Sequence, residues 1–320
     1  MKTFLTGGTG FIGSRVAARL RERGEEVVAL VRDPVRAEAL RRIGCSLVEG
    51  GLGDDHAIRR GVDGCGAAIH AAAIYRIGIP ASEQEAMFET NVRGTQRVLD
   101  AATDAGVGRV VYVSTANVFG NTHGRVVDET YRRPSDGFLS FYDRTKFLAH
   151  QAAEERIRNG APIVVVQPTV VYGPGDHSEL GAIIEQTRTG RLRFISFPDM
   201  GMVMVHVDDV AAGVLLGLDR GRIGEAYVLG GEQTTMRDLV RVVAEVAGRR
   251  PPRLAMPSIL IKASIPMAPL VTRLMGMPPN LRELISASEG VTYYASDAKA
   301  RNELGWAPRD LRTGLREMMG

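Results

Sequence analysis

Thr6-Gly7-Gly8-Thr9-Gly10-Phe11-Ile12-Gly13 decides how the rest of the chain is read. It follows directly on Lys2 to Thr6, which has the apolar content of a short buried strand. It precedes Ser14 to Arg23, whose apolar residues recur at helical spacing. Strand, glycine turn and helix form the setting in which a glycine pattern holds a dinucleotide. Gly7 permits a tight turn, Gly10 lets the backbone approach a pyrophosphate, and Gly13 lets the helix pack closely on the strand. The spacing, Gly-x-x-Gly-x-x-Gly, is a variant of the more familiar Gly-x-Gly-x-x-Gly. Thr9, Phe11 and Ile12 lie between these glycines and share the expected cofactor contact.

Moving outward, Glu26 to Val31 reads as a second apolar strand that ends in Arg32-Asp33-Pro34. A carboxylate at that strand end accepts hydrogen bonds from an adenosine ribose, whereas a guanidinium pairs with a 2′-phosphate. Val31 stands at the carboxylate position and Arg32 follows it, which favours NADP and leaves NAD possible if Asp33 turns inward. Ser46 to Val48 is a third strand. Asp54 beyond it can accept from an adenine amino group or cap the helix that starts at Asp55. Ala67 to His70 is a fourth strand with Ala71-Ala72-Ala73 at its carboxyl end, small enough for a cofactor to press against backbone. His70 itself reads as a packed strand histidine.

Residues 74 to 88 read as irregular chain beside a substrate opening, followed by a helix from about Asn91 to Ala105. Arg109 to Ser114 and Ile163 to Gln167 are further apolar strands, and Tyr227 to Leu229 is another. Strands alternating with helices predict a doubly wound parallel α/β sheet with a smaller C-terminal lobe. The expected division gives residues 1–168 to the dinucleotide unit, with 199–232 returning to it, and gives 169–198 and 233–320 to the substrate lobe. Asp208 or Asp209 is expected to cap the helix that follows His206.

The chemistry concentrates in Ser140-Phe141-Tyr142-Asp143-Arg144-Thr145-Lys146. Four residues apart on a helix, Tyr142 and Lys146 share a face. A cation beside the ring lowers a phenol that otherwise titrates near ~10. Ser114 or Thr115, at the end of a central strand, can donate to a substrate carbonyl oxygen.

Composition excludes several other classes. The formal net charge is only +3, the lysines are Lys2, Lys146, Lys262 and Lys299, and no basic run suits a nucleic acid. Cys45 and Cys65 are not spaced as a metal or redox pair, and no metal is expected. With two lone thiols and no room for a leader before the first strand, a cytoplasmic protein is expected. Pro251 to Pro279, rich in Leu, Ile and Met, is too broken by proline and charge to span a membrane. It reads as a packed lobe or a methionine-lined wall for an apolar substrate.

Thr6 to Gly13, Ser114 to Gly120, Tyr142 with Lys146, and Pro168-Thr169-Val170-Val171-Tyr172-Gly173-Pro174-Gly175-Asp176 occur in that order. Together they resemble the extended short-chain dehydrogenases/reductases, the NAD-dependent epimerase/dehydratase superfamily. The resemblance continues through Tyr294-Ala295-Ser296-Asp297 and Leu304-Gly305-Trp306-Ala307-Pro308. Val-Arg-Asp-Pro after the second strand is similar to the dihydroflavonol reductase branch, which implies NADP. By the same resemblance Thr115 orients the substrate oxygen, Tyr142 is the acid/base, and Lys146 holds the nicotinamide ribose. Pro168 and Val170 join the cofactor contacts, Asn91 is structural near the site, and the helices around 91–105 and 142–159 form a homodimer interface.

Two departures narrow the reaction. Nucleotide-sugar enzymes of the family carry an arginine before His-Val-Asp-Asp; this chain has Met202-Val203-Met204-Val205, which cannot clamp a diphosphate. Dehydratases carry an acidic pair where Ala116 and Asn117 stand. The expected reaction is therefore NADPH-dependent reduction of a largely apolar ketone or aldehyde. The alternatives are NAD-dependent epimerisation of a sugar-like alcohol through a transient ketone, and a cofactor sensor without turnover.

Overall fold

The computed structural model describes residues 1–134, 137–256, 259 and 280–319. Most of the segment read as a methionine-lined wall lies outside the described residues.

Seven strands form one parallel sheet: β1 (Lys2–Thr6), β2 (Glu26–Val31), β3 (Ser46–Glu49), β4 (Ala67–His70), β5 (Arg109–Val113), β6 (Ile163–Pro168) and the later β10 (Ala226–Leu229). Their order is β10-β6-β5-β4-β1-β2-β3, so the strand order reverses between β1 and β4. At that reversal the connections leave to opposite faces and open a crevice beyond the carboxyl ends of the strands. Residues alternate between two cores because side chains alternate along a strand. Leu5, Ala29, Ile69, Val111 and Val164 pack under helices α1 (Gly13–Glu22) and α8 (Val207–Arg220). Phe4, Val28, Ala68, Val110 and Val165 pack on the other face under α3 (Asp55–Val62), α5 (Gly94–Asp104) and α6 (Phe141–Arg158). A short α2 (Glu38–Arg42) leads into β3.

The segment expected to be irregular contains helix α4 (Ala81–Phe88), which runs through a π-helical turn at Glu89–Arg93 into α5. Only Met87 of α4 is buried, so the sequence carries no apolar stripe to announce it.

A second sheet is built around β9 (Gly201–His206), flanked by β11 (Glu232–Thr235) on one side and by β7 (Val170–Tyr172) and β13 (Thr292–Tyr293) on the other. Helices α7 (Glu179–Arg188) and α9 (Met236–Val246) cover it, and β8 (Phe194–Ser196) pairs with β12 (Leu254–Met256). Met202 and Met204 are fully buried in this lobe with Ile184, Leu239 and Leu315.

The cap of α8 differs from expectation. His206 is the N-cap, its Nδ1 accepting from the Asp208 amide at 3.2 Å. Both aspartates are engaged by arginines instead: Asp208 by Arg15 at 3.0 Å and Asp209 by Arg309 at 2.8 Å.

Candidate active site

At the end of β1 the backbone turns so tightly that only glycine fits. Gly7 has φ +78°, and a Cβ there would lie 2.6 Å from the Ala72 nitrogen. A Cβ on Gly13 would lie 2.1 Å from the Gly7 carbonyl oxygen. The Gly10 amide donates to Gly7 at 2.8 Å and closes the turn. Helix α1 then starts with no acidic residue in its first turn and no side-chain cap, leaving its positive dipole end for an anion. This cradle fits the pyrophosphate of a dinucleotide. Ala71 and Ala72 press against Gly7, and Ala73 is exposed beside them. Thr9 is exposed on the turn, Phe11 stacks under the Arg15 guanidinium at 5.1 Å, and Ile12 packs on the core below.

The adenosine side of the crevice is bounded by Arg32 and Asp54. Arg32 is exposed just past β2 and makes no hydrogen bond or ion pair among the described residues. Asp33 does not turn inward: its Oδ1 accepts from the amides of Val35 and Arg36 at 2.9 and 3.3 Å. Asp54 caps α3, its Oδ1 accepting from Ala57 at 2.9 Å.

The catalytic candidates meet where β5 ends. Ser140 caps α6 by accepting from the Asp143 amide at 3.0 Å, and the helix then turns Tyr142, Thr145, Lys146 and Ala149 towards the sheet. Thr115, buried just past β5, opposes the upward shift of the Tyr142 phenol. It also holds the chain locally, accepting from Asn117 at 3.2 Å and donating to the Pro168 carbonyl at 3.4 Å. Ser114 faces elsewhere, its Oγ 3.0 Å from His150 Nδ1. Of the two hydroxyls proposed from sequence, Ser114 is engaged by His150 and Thr115 is the one that acts on the tyrosine. Val170 lies part-buried just beyond Pro168.

Lys146 departs from expectation. It is 3% exposed, and its ammonium donates to the Val113 carbonyl at 3.2 Å and to the Tyr112 hydroxyl at 3.5 Å. The charge sits over the Tyr112 ring, 5.1 Å from its centre, rather than lowering the Tyr142 phenol. Burial is the dominant influence on both groups. It pushes Tyr142 above its ordinary value, with the Tyr75 and Tyr112 phenols adding and Thr115 opposing. It pulls Lys146 down to about 8.

Asn91, set inward by the π-helical turn, accepts from the Ile74 amide at 2.7 Å and donates to the Ile74 carbonyl at 3.0 Å and Thr145 at 3.1 Å. It ties the chain after β4 to α6, and Tyr75 on that chain packs edge-on against Tyr142 with centroids 4.8 Å apart. His70 is the packed histidine expected, bonded to Thr6 at 2.6 Å and Thr95 at 2.9 Å.

Sequence reading missed Tyr112, Tyr75 and His150. Tyr112 was hidden in an otherwise aliphatic strand. His150 was announced by its place four residues beyond Lys146, but its partner Ser114 lies on another element.

The model of the NAD dependent epimerase/dehydratase family matches residues 3–230. The chain belongs to this family. Among its relatives, a Synechocystis protein named for dihydroflavonol 4-reductase is 31% identical over 325 residues, 98% of this chain and 92% of that one. A 4-hydroxy-2-methyl-3-oxo-4-farnesyl-3,4-dihydroquinoline-1-oxide ketoreductase of Stigmatella aurantiaca is 32% identical, covering 97% and 92%. The crystal structure of gox2253 superposes with a TM-score of 0.84 at 33% identity over 99% of this chain and 96% of that one. The chain is thus an NAD(P)-dependent oxidoreductase of the extended short-chain dehydrogenase/reductase type. No helix among the described residues is long and apolar enough to cross a membrane.

Proposed function

We propose that this family member is an NADP(H)-dependent reductase of a ketone or aldehyde borne by a largely apolar small molecule. The observation that carries the reading is the gathering of buried Thr115 and Tyr142 where β5 ends and α6 begins. Buried Lys146 follows one turn along the same helix face. When bound, the nicotinamide supplies a hydride to the carbonyl carbon. Tyr142 gives its proton to the carbonyl oxygen while Thr115 holds that oxygen in place. Lys146, one turn along the helix, is the residue that would hold the nicotinamide ribose.

Arg32 supports NADP, since its guanidinium has no anionic partner among the described residues and Asp33 is occupied with its own turn. The apolar substrate is supported by β9. The position at which nucleotide-sugar enzymes hold a diphosphate is occupied here by Met202 to Val205, all buried. The name of the Stigmatella ketoreductase, which specifies a farnesylated ketone, points the same way. On family analogy the enzyme works in the cytoplasm as a homodimer joined through α5 and α6.

The test has two parts. Nucleotide released from denatured protein is identified, and the emptied protein is titrated with NADPH and NADH by fluorescence; exchangeable binding that prefers NADPH is expected. Tightly retained NAD would overturn the Arg32 argument and make epimerisation the better reading. Tyr142→Phe is then expected to bind NADPH as before and to lose turnover by about 10²–10⁴ on a panel of apolar carbonyls. Unchanged turnover would sink the mechanism.

A further inference from the structure

We propose that Arg15 is a positioning residue that couples the cofactor cradle to the substrate opening. From the third position of α1 it holds the Gly173–Asp176 turn, so that a dinucleotide seated on the glycine turn steadies one wall of the opening. The inference goes beyond the reductase reading and does not depend on it, because an epimerase would use the same coupling.

The Arg15 guanidinium engages three elements at once. Nη1 donates to the Phe11 carbonyl at 3.0 Å, which ties the cation to the glycine turn whose phenylalanine it also covers. Nε pairs with Asp208 at 3.0 Å in the first turn of α8. Nη2 donates to the carbonyl of Pro174, 159 residues further along the chain. A planar fork with fixed donors holds three acceptors in one geometry, which a point charge on a flexible stem does not.

The turn depends on an outside anchor. Gly173 and Gly175, on either side of Pro174, both have positive φ, +150° and +82°, and neither has a side chain to fix it. Its internal bonds are few: the Asp176 amide donates to the Gly173 carbonyl at 3.1 Å, and the Ser178 amide to Asp176 Oδ1 at 2.8 Å. Among the described residues, Arg15 is the one side chain outside the turn that hydrogen-bonds residues 173–176. The far side of the turn faces the active site. Burial raises the Tyr75 phenol above its ordinary value, and the charges of Glu179 and Asp176 add to that. Tyr75 in turn packs edge-on against Tyr142. Phe11, Arg15 and Pro174 are thus in direct contact, and the turn they hold lies within electrostatic reach of the ring that abuts the catalytic candidate.

Anchor and cradle share a residue, Phe11, and this is what links the two sites. An anion bound on the glycine turn restrains Phe11 and places negative charge near the guanidinium, and a steadier Arg15 limits the opening of the turn at Pro174. Couplings of this kind change affinities by factors of about 5–150.

The test reads the turn directly. Hydrogen exchange of the amides at 175–178 is measured by mass spectrometry with and without NADPH, or NADH where that is the nucleotide bound. In the wild type the cofactor is expected to slow this exchange about tenfold. In Arg15→Met the slowing is expected to fall below about twofold, while cofactor affinity changes by no more than the lost coupling factor. A merely structural bond would, when lost, speed exchange equally with and without cofactor and leave that ratio unmoved. No slowing in the wild type, or the same ratio in the variant, therefore overturns the proposal. Arg19 donates to the Asp208 carbonyl at 3.1 Å, so α1 and α8 stay joined when Arg15 is replaced. Should Arg15→Met still fail to fold, Arg15→Lys decides by the same ratio: a fall supports the coupling and an unchanged ratio overturns it. No substrate is present at any stage, so the reductase reading stands or falls by its own test.

Discussion

Gly13 has no room for a side chain, and the reason is backbone, not a movable rotamer: the Gly7 carbonyl stands where a Cβ would go. Gly13→Ala is therefore expected to cost about 1–3 kcal/mol through overpacking and to weaken NAD(P)H binding as the turn shifts. Thermal melts and fluorescence titration measure both. Lys146 poses the reverse case, a residue kept at a cost. Its folded value of about 8 lies below the ordinary 10.5, so folding favours its neutral form. That contribution is fully present above pH 10.5 and is lost as the pH falls through 8, leaving a penalty of about 3 kcal/mol at pH 7. Lys146→Met is expected to be inactive yet more stable than wild type at pH 7, with the advantage shrinking towards pH 10 in urea titrations. A less stable variant at pH 7 would mean that the bonds to Val113 and Tyr112 outweigh the burial. The glycines were legible because only glycine tolerates such turns. The actual neighbour of Lys146 was not, because a tyrosine within Arg109-Val110-Val111-Tyr112-Val113 reads as core.

Helix α6 depends on more than its cap. Just ahead of it, Arg133 pairs with Asp143 at 2.6 Å, with side chains 4% and 5% exposed, and Asp143 also accepts from the Leu139 amide at 2.9 Å. Burial raises the Asp143 carboxyl despite the opposing guanidinium, which marks the pair as expensive to assemble. Removing one partner strands the other. Arg133→Ala is expected to cost about 3–5 kcal/mol, and joint replacement by Met at 133 and Leu at 143 considerably less. Urea unfolding of the single and double variants checks this. At the scale of elements, buried parallel strands were legible almost to the residue because they are continuous apolar runs. Helix α4 was not, since Ala81–Phe88 carries no stripe, and the π-helical turn that aims Asn91 leaves no sequence signal. His206 displaced the aspartates as the α8 cap because distant arginines had claimed them.

Across the whole molecule, burial lowers three histidines, His70, His150 and His206, and so makes the fold acid-sensitive. His70 is held at about 3 and His150 at about 4 by burial, both below the ordinary 6.5. Their contribution is present above pH 6.5 and is lost as the pH falls through that window towards the folded values. The urea midpoint is expected to drop steeply between pH 6.5 and 4, and His70→Gln to flatten part of that slope. An unchanged slope in the variant would place the acid sensitivity elsewhere. The doubly wound architecture was legible from alternating strands and helices. The attachment of β10 beside β6, and the gathering of β7, β9, β11 and β13 into a second sheet, were not, because pairing partners far apart in sequence leave no local trace.

The position of β10 also bears on how the protein is made. Its four residues hydrogen-bond the outer edge of β6, and Trp306, packed with Leu229 in the core and donating to the Gly230 carbonyl at 3.0 Å, locks them there. A ribosome that has released the first 170 residues has delivered six strands of the sheet but left the apolar rim of β6 bare, an edge that pairs readily with any other strand. The nascent protein stays in that sticky state until about sixty more residues have emerged at roughly 5–20 per second. Slow codons or a truncation within that interval would then be felt as aggregation, with Thr115, Tyr142 and Lys146 already synthesised.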